Sequence, residues 1–118
     1  MKTLVLGGSL KPNRYSYKAI ESLRGHGYAV VSIGKKEGMV LDVKVQESLY
    51  SENDIHTVTV YLSAENQKNY EAYILSLKPK RIIFNPGTEN ISLYESAVSQ
   101  GIEVMNACTL VLLSINKY

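Results

Sequence analysis

Thr3-Leu4-Val5-Leu6-Gly7-Gly8-Ser9-Leu10-Lys11-Pro12-Asn13-Arg14 leads from a strand through a turn into a helix, and the fold class follows from it. Its opening is a short, β-rich apolar run, as expected of a strand covered on both faces. Gly7-Gly8 ends that run and Pro12-Asn13 breaks the chain. From about Arg14 a helical period begins, with Tyr15, Ala19 and Leu23 at i, i+4 and i+8 and Ile20 beside them. Gly25 and Gly27 then stop the helix. A buried strand, a glycine turn and an amphipathic helix open a β-α-β unit, and the residues that follow repeat the pattern.

Further strands are predicted at Tyr28–Ile33, Thr57–Leu62, Arg81–Phe84 and Ile102–Met105, with Val43-Lys44-Val45 as a short edge strand. A helix capped by Ser63 carries Tyr70, Tyr73, Ile74 and Leu77 on one stripe and ends before Pro79. Another presents Leu93, Tyr94, Ala97 and Val98 and stops at Gly101. Residues 35–55 carry little pattern, and residues 107–113 fit either a helix or an extended chain. Strands separated by helices need crossovers, so the expected fold is α/β, with a mostly parallel, doubly wound sheet of five or six strands. The 118 residues suit one domain, 1–118. Apolar residues at 45% and charged residues at 20% are ordinary globular values and exclude disordered or collagen-like chains.

The net charge of +2 hides an asymmetry. Residues 1–36 hold seven bases against Glu21 alone, or +6, and the remainder holds six bases and ten acids, or −4. The same bases would serve simply to solvate surface helices and loops. One cysteine, Cys108, allows no intrachain disulfide, and the apolar runs are too short for a signal peptide or a membrane span. A cytoplasmic protein without a membrane or nucleic-acid partner is expected, its nine tyrosines fitting amphipathic packing better than base stacking.

In an open parallel sheet, ligands bind outside the carboxyl ends of the strands. Here those ends carry Gly7–Arg14, Gly34-Lys35-Lys36, Ser63-Ala64, Asn85–Asn90 and Asn106–Thr109. In the first loop Gly7 and Gly8 let backbone approach a ligand, Ser9 can donate to an oxyanion, and Lys11 and Arg14 bring charge to a helix N-terminus. This is a diphosphate cradle, though an ordinary strand-to-helix turn with solvated bases would need some of the same residues. It is not a strict dinucleotide fingerprint, since Ser9 and Pro12 stand where glycines would be required. The second strand ends in Lys35-Lys36 where an NAD site usually has an acid. Two ammonium groups suit a ribose phosphate instead, which NADP carries on the 2′ oxygen and coenzyme A (CoA) on the 3′ oxygen.

Gly8-Ser9, Lys11-Pro12, Arg14-Tyr15-Ser16 and Lys18-Ala19 together resemble the opening motif of small CoA-binding domain proteins. These are similar to the N-terminal CoA-binding domain of the succinyl-CoA synthetase alpha subunit. Phe84–Asn90 looks like the family's second signature loop, and Ala107–Val111 resembles its tail in position and type. The resemblance implies a Rossmann-like, three-layer fold that binds CoA or an acyl-CoA, with Gly8, Ser9, Lys11, Arg14, Tyr15 and Ser16 on the phosphates. The family often has Asn-Pro after its second strand, where this chain has Gly34-Lys35. The synthetase's ligase chemistry needs a further domain and is not carried over. The expected binding set is Gly7, Gly8, Ser9, Lys11, Arg14, Tyr15, Ser16, Lys35, Lys36, Ser63, Asn85 and Gly87.

No His/Cys/Asp/Glu spacing points to a metal. His26 reads as a helix cap and His56 lies at the far end of the sheet from the site. No catalytic constellation is visible, so binding without catalysis is the leading expectation. An NADP-linked or acyl-transfer enzyme using Glu89 or Cys108 is the alternative. A subunit, homodimeric or with another protein, acting through an exposed Leu110–Ile115 face is the third.

Overall fold

The computed structural model describes residues 1–118. One seven-stranded sheet forms the middle layer. Its strands are β1 (Lys2–Leu6), β2 (Ala29–Ile33), β3 (Gly38–Val40), β4 (Val43–Gln46), β5 (Ile55–Val60), β6 (Arg81–Phe84) and β7 (Glu103–Asn106), in spatial order β3-β4-β2-β1-β5-β6-β7. All neighbours are parallel except the β3–β4 hairpin. The helices are α1 (Tyr15–Gly25), α2 (Ala64–Gln67), α3 (Glu71–Ser76), α4 (Ile91–Ser99) and α5 (Thr109–Ser114). This is the α/β doubly wound architecture, with β1 at its centre and a reversal of winding between β1 and β5.

The strands alternate their side chains between two apolar layers. Leu4 and Leu6 join Val58, Val60, Ile82 and Phe84 under Ile74 of α3 and Leu93 and Ala97 of α4. Val5 faces the other way, with Ile20 and Leu23 of α1 and Leu113 of α5. Burial on both faces is why these strands read as continuous apolar runs. The second face also holds a polar line. Thr3, Thr57 and Thr59 are fully buried. Thr59 Oγ1 meets Thr109 Oγ1 at 2.7 Å, Arg81 Nε donates to Thr57 Oγ1 at 3.1 Å, and the Arg81 guanidinium lies 4.5 Å from the Tyr118 ring centroid. His56, half-buried beside Arg81, is held below the ordinary histidine range by burial and then by that charge.

Three expectations about the elements change, and one left open is settled. The strand count is seven, because the three-residue β3 leaves no periodic trace in the sequence. Val43-Lys44-Val45 is not an edge: β4 lies between β2 and β3, with Val43 and Val45 buried and Lys44 exposed. The Ser63–Lys78 helix is two short helices, interrupted at Lys68–Tyr70, where Tyr70 N–H turns back to Gln67 O at 2.8 Å. Residues 109–114 are helical, with Val111 and Ile115 exposed and Leu113 buried. Lys2 and Arg24 are also not merely solvated; they pair with Asp54 at 2.6 Å and Asp42 at 2.7 Å. No helix is long and apolar enough to cross a membrane.

Candidate functional site

The reversal of winding between β1 and β5 opens a cleft of about 1120 Å³ at the carboxyl ends of the strands. Four segments wall it: the β1–α1 loop with the first turn of α1, the end of β2 through Lys36, the stretch from Tyr61 through α2 to Tyr70, and Pro86–Thr88 after β6. Eleven of the twelve expected binding residues line it, namely Gly7, Gly8, Ser9, Lys11, Arg14, Tyr15, Ser16, Lys35, Lys36, Ser63 and Gly87.

Asn85 is the exception, and its environment explains why. It is buried, its Nδ2 donates to Thr59 Oγ1 at 2.7 Å and Val60 O at 2.9 Å, and its Oδ1 accepts from Thr109 N–H at 2.8 Å. Both ends of the amide are used inside the protein, fixing α5 and the β6–α4 loop to the sheet. The last loop, Asn106–Thr109, also stays outside the cleft, because β7 is the far edge of the sheet. Asn106 instead borders a smaller depression with Glu89, Asn90, Ile91, Tyr94 and Glu95.

The β1–α1 loop is held by backbone. The N–H groups of Gly7 and Gly8 both donate to Ile33 O, at 2.8 and 2.9 Å, so the loop lies directly against the end of β2. That contact demands glycine twice. A Cβ on Gly8 would lie 2.1 Å from Ser32 Oγ, and one on Gly34 would lie 2.2 Å from the Gly8 carbonyl oxygen and 2.8 Å from Val45 Cγ1. The missing side chains therefore serve close packing of the two loops. Gly34→Ala is expected to push the cradle off the sheet and to lower stability by roughly 1–3 kcal/mol, the usual range for overpacking, as read by denaturant melting.

The polar groups of this loop remain free toward the cleft. Ser9 Oγ accepts from Lys11 N–H at 3.1 Å, which shapes the turn and leaves the hydroxyl proton for another acceptor. Arg14 at the N-cap of α1 makes no side-chain cap, and no acid stands in the first turn, so the helix presents uncapped N–H groups and its positive dipole end. Lys11, Arg14, Lys35 and Lys36 have no ion-pair partner; the three salt bridges are Lys2–Asp54, Arg24–Asp42 and Lys68–Glu65. Glu37, the acid nearest in sequence to Lys36, instead accepts from Glu47 N–H at 3.3 Å. Four unpaired cations thus line one cleft whose only lining acid, Glu65, is paired with Lys68, and this gives the cleft a positive potential.

The opposite wall was only partly visible in the sequence. Beyond Ser63 and Gly87 it includes Leu62, Asn66, Lys68, Asn69, Tyr70 and Thr88. Ser63 Oγ caps α2 by accepting from Asn66 N–H at 3.3 Å. Gln67 is fully buried; its Nε2 donates to Leu62 O at 2.8 Å and Thr88 O at 2.7 Å, and its Oε1 accepts from Asn90 Nδ2 at 2.9 Å. The Tyr61 hydroxyl is buried without a partner, and burial pushes its pKa upward. Glu89 and Cys108 do not line the cleft: Glu89 Oε1 accepts from Gly87 N–H at 3.0 Å, and Cys108 is half-buried at the start of α5.

Comparison with known proteins gives the same fold and a family. A crystal structure of an uncharacterized protein is 45% identical, with a TM-score of 0.95 over 99% of this chain and 97% of that one. A protein from Thermus thermophilus is 19% identical, with a TM-score of 0.86 over 99% and 90% of the two chains. A hypothetical protein from Pyrococcus horikoshii OT3 is 24% identical, with a TM-score of 0.81 over 92% and 78%. The last two, at such identities, speak to the fold alone. No curated protein matches the sequence. The family model described as CoA binding domain matches residues 1–114, nearly the whole chain. The Rossmann-like sheet, the cleft at its reversal point and this match agree, and the chain belongs to the CoA-binding domain family.

Proposed function

We propose that the cleft binds CoA through a diphosphate cradle and a separate ribose-phosphate site, and that the protein acts by binding rather than by catalysis. The observation that carries this reading is the set of four unpaired cations around one cleft. Lys11, Arg14, the Ser9 hydroxyl and the opening N–H groups of α1 hold the diphosphate. Tyr15 and Ser16 border the same loop. Lys35 and Lys36, at the end of β2, engage the 3′-phosphate. The family match favours CoA over NADP as the ligand. The enzyme alternative loses its proposed groups from the cleft, since Glu89 and Cys108 lie outside its lining.

Thermal shift with CoA, dephospho-CoA, NADP and NAD tests the assignment. CoA is expected to stabilise most, and Lys35→Ser with Lys36→Ser is expected to weaken CoA about tenfold while leaving dephospho-CoA nearly unchanged. Equal shifts for CoA and dephospho-CoA with the wild-type protein would remove the 3′-phosphate site. A larger shift with NADP than with CoA would reverse the choice of ligand.

A further inference from the structure

The half of the cleft facing β5 and β6 has a chemistry of its own. β1 lies between β2 and β5. With the diphosphate on the β1–α1 loop and the 3′-phosphate at the end of β2, the pantetheine arm and thiol of CoA run to the other side, toward α2 and the β6–α4 loop. The wall there is mixed: Ser63, Asn66, Lys68, Asn69 and Thr88 stand beside Tyr61, Leu62, Tyr70 and Pro86. The polar groups suit the amides of the arm, while Leu62 and Tyr70 are packed against the core and leave only part of their surface to an alkyl chain.

A long acyl chain would need an apolar channel, and the core behind this wall is filled. Ile74, Phe84 and Leu93 are packed there with at most 1% exposure. The seam through which a chain could reach that core lies between α2 and the β6–α4 loop. Gln67 closes it, bonding Leu62 O on one side and Thr88 O and Asn90 on the other. Opening the seam would leave several buried polar groups unpaired.

We infer that the ligand is free CoA or a CoA thioester of a short or polar acyl group, and that a long alkyl chain, having no channel into the core, adds little affinity. The inference rests on the CoA reading of this cleft. Isothermal titration with CoA, acetyl-CoA and octanoyl-CoA, the last kept below its micellar range, tests it. Each methylene buried in apolar surroundings is worth roughly fourfold in affinity, so a chain entering a channel would strengthen binding by orders of magnitude. Octanoyl-CoA is expected to bind less than tenfold more tightly than acetyl-CoA, or more weakly. Binding tenfold or more tighter would overturn the inference and leave the CoA site standing. Absence of binding by CoA itself would overturn the underlying site reading, whatever the acyl group.

Discussion

Replacing Lys11 and Arg14 together by methionine is expected to weaken CoA binding by roughly a hundredfold or more. Hydrogen bonds to charged groups contribute about 1.5–3 kcal/mol each, and the lower value applied twice already gives that factor. Neither side chain has an ion-pair partner, and both are exposed. Their removal should therefore leave the melting temperature without ligand nearly unchanged. The loss should appear with dephospho-CoA as well, because both ligands carry the diphosphate. That separates this pair from Lys35 and Lys36, whose loss should affect only the ligand with a 3′-phosphate. A double variant that binds CoA within about threefold of wild type would mean that the diphosphate lies elsewhere. The contacts are solvent-accessible, so CoA affinity should also fall as salt rises.

Asn85→Ala is expected to have the largest effect on stability, about 3 kcal/mol or more. The side chain serves the Thr59 hydroxyl, the Val60 carbonyl and the Thr109 N–H, all in buried surroundings. Removing it takes a bond from the Thr109 N–H and the Val60 carbonyl, at about 1–3 kcal/mol for each group left unsatisfied before relaxation, while the Thr59 hydroxyl keeps only Thr109 Oγ1. For a domain of this size that corresponds to roughly 10 °C or more in melting temperature. Thermal unfolding without ligand reads the change directly. A loss below about 1 kcal/mol would contradict the structural role. The expectation differs in kind from that for Lys11 and Arg14, which are exposed and act on the ligand.

Asn85 also shows where sequence reading stops. Its position after β6 placed it correctly at the carboxyl edge, but position does not reveal which way a side chain turns. Only the three-dimensional partners, Thr59 and Thr109, show that its amide is used inward. Lys11, Arg14, Lys35 and Lys36 were legible because two independent patterns met: a run of bases, and strand ends that a parallel sheet brings together. Lys2 and Arg24 belonged to the same run, but their partners Asp54 and Asp42 are distant in sequence and could not be paired in advance. The opposite wall was mostly missed for a local reason. The Tyr70–Leu77 stripe is helical, and extending it back to Ser63 hid the break at Lys68–Tyr70 that turns Asn66 and Asn69 to the cleft. Gln67 within that stretch carries no sequence signal of burial, yet it is fully buried. Strand β3 escaped because three residues are too few to show a period.

The glycines require a different explanation from the one their sequence invites. Gly8 reads as a place where backbone meets a ligand. In the structure its missing side chain makes room for Ser32, and Gly34 makes room for Gly8. The cradle is thus shaped by the packing of two loops, while its polar groups are presented by Ser9, Lys11, Arg14 and the start of α1.

A crystal structure of the protein with CoA would locate both phosphate groups. The diphosphate is expected within hydrogen-bonding distance of the Ser9–Arg14 loop and the opening turn of α1, with the 3′-phosphate at Lys35 or Lys36. CoA bound outside the cleft between β1 and β5, or bound there with its diphosphate away from Lys11 and Arg14, would contradict this placement.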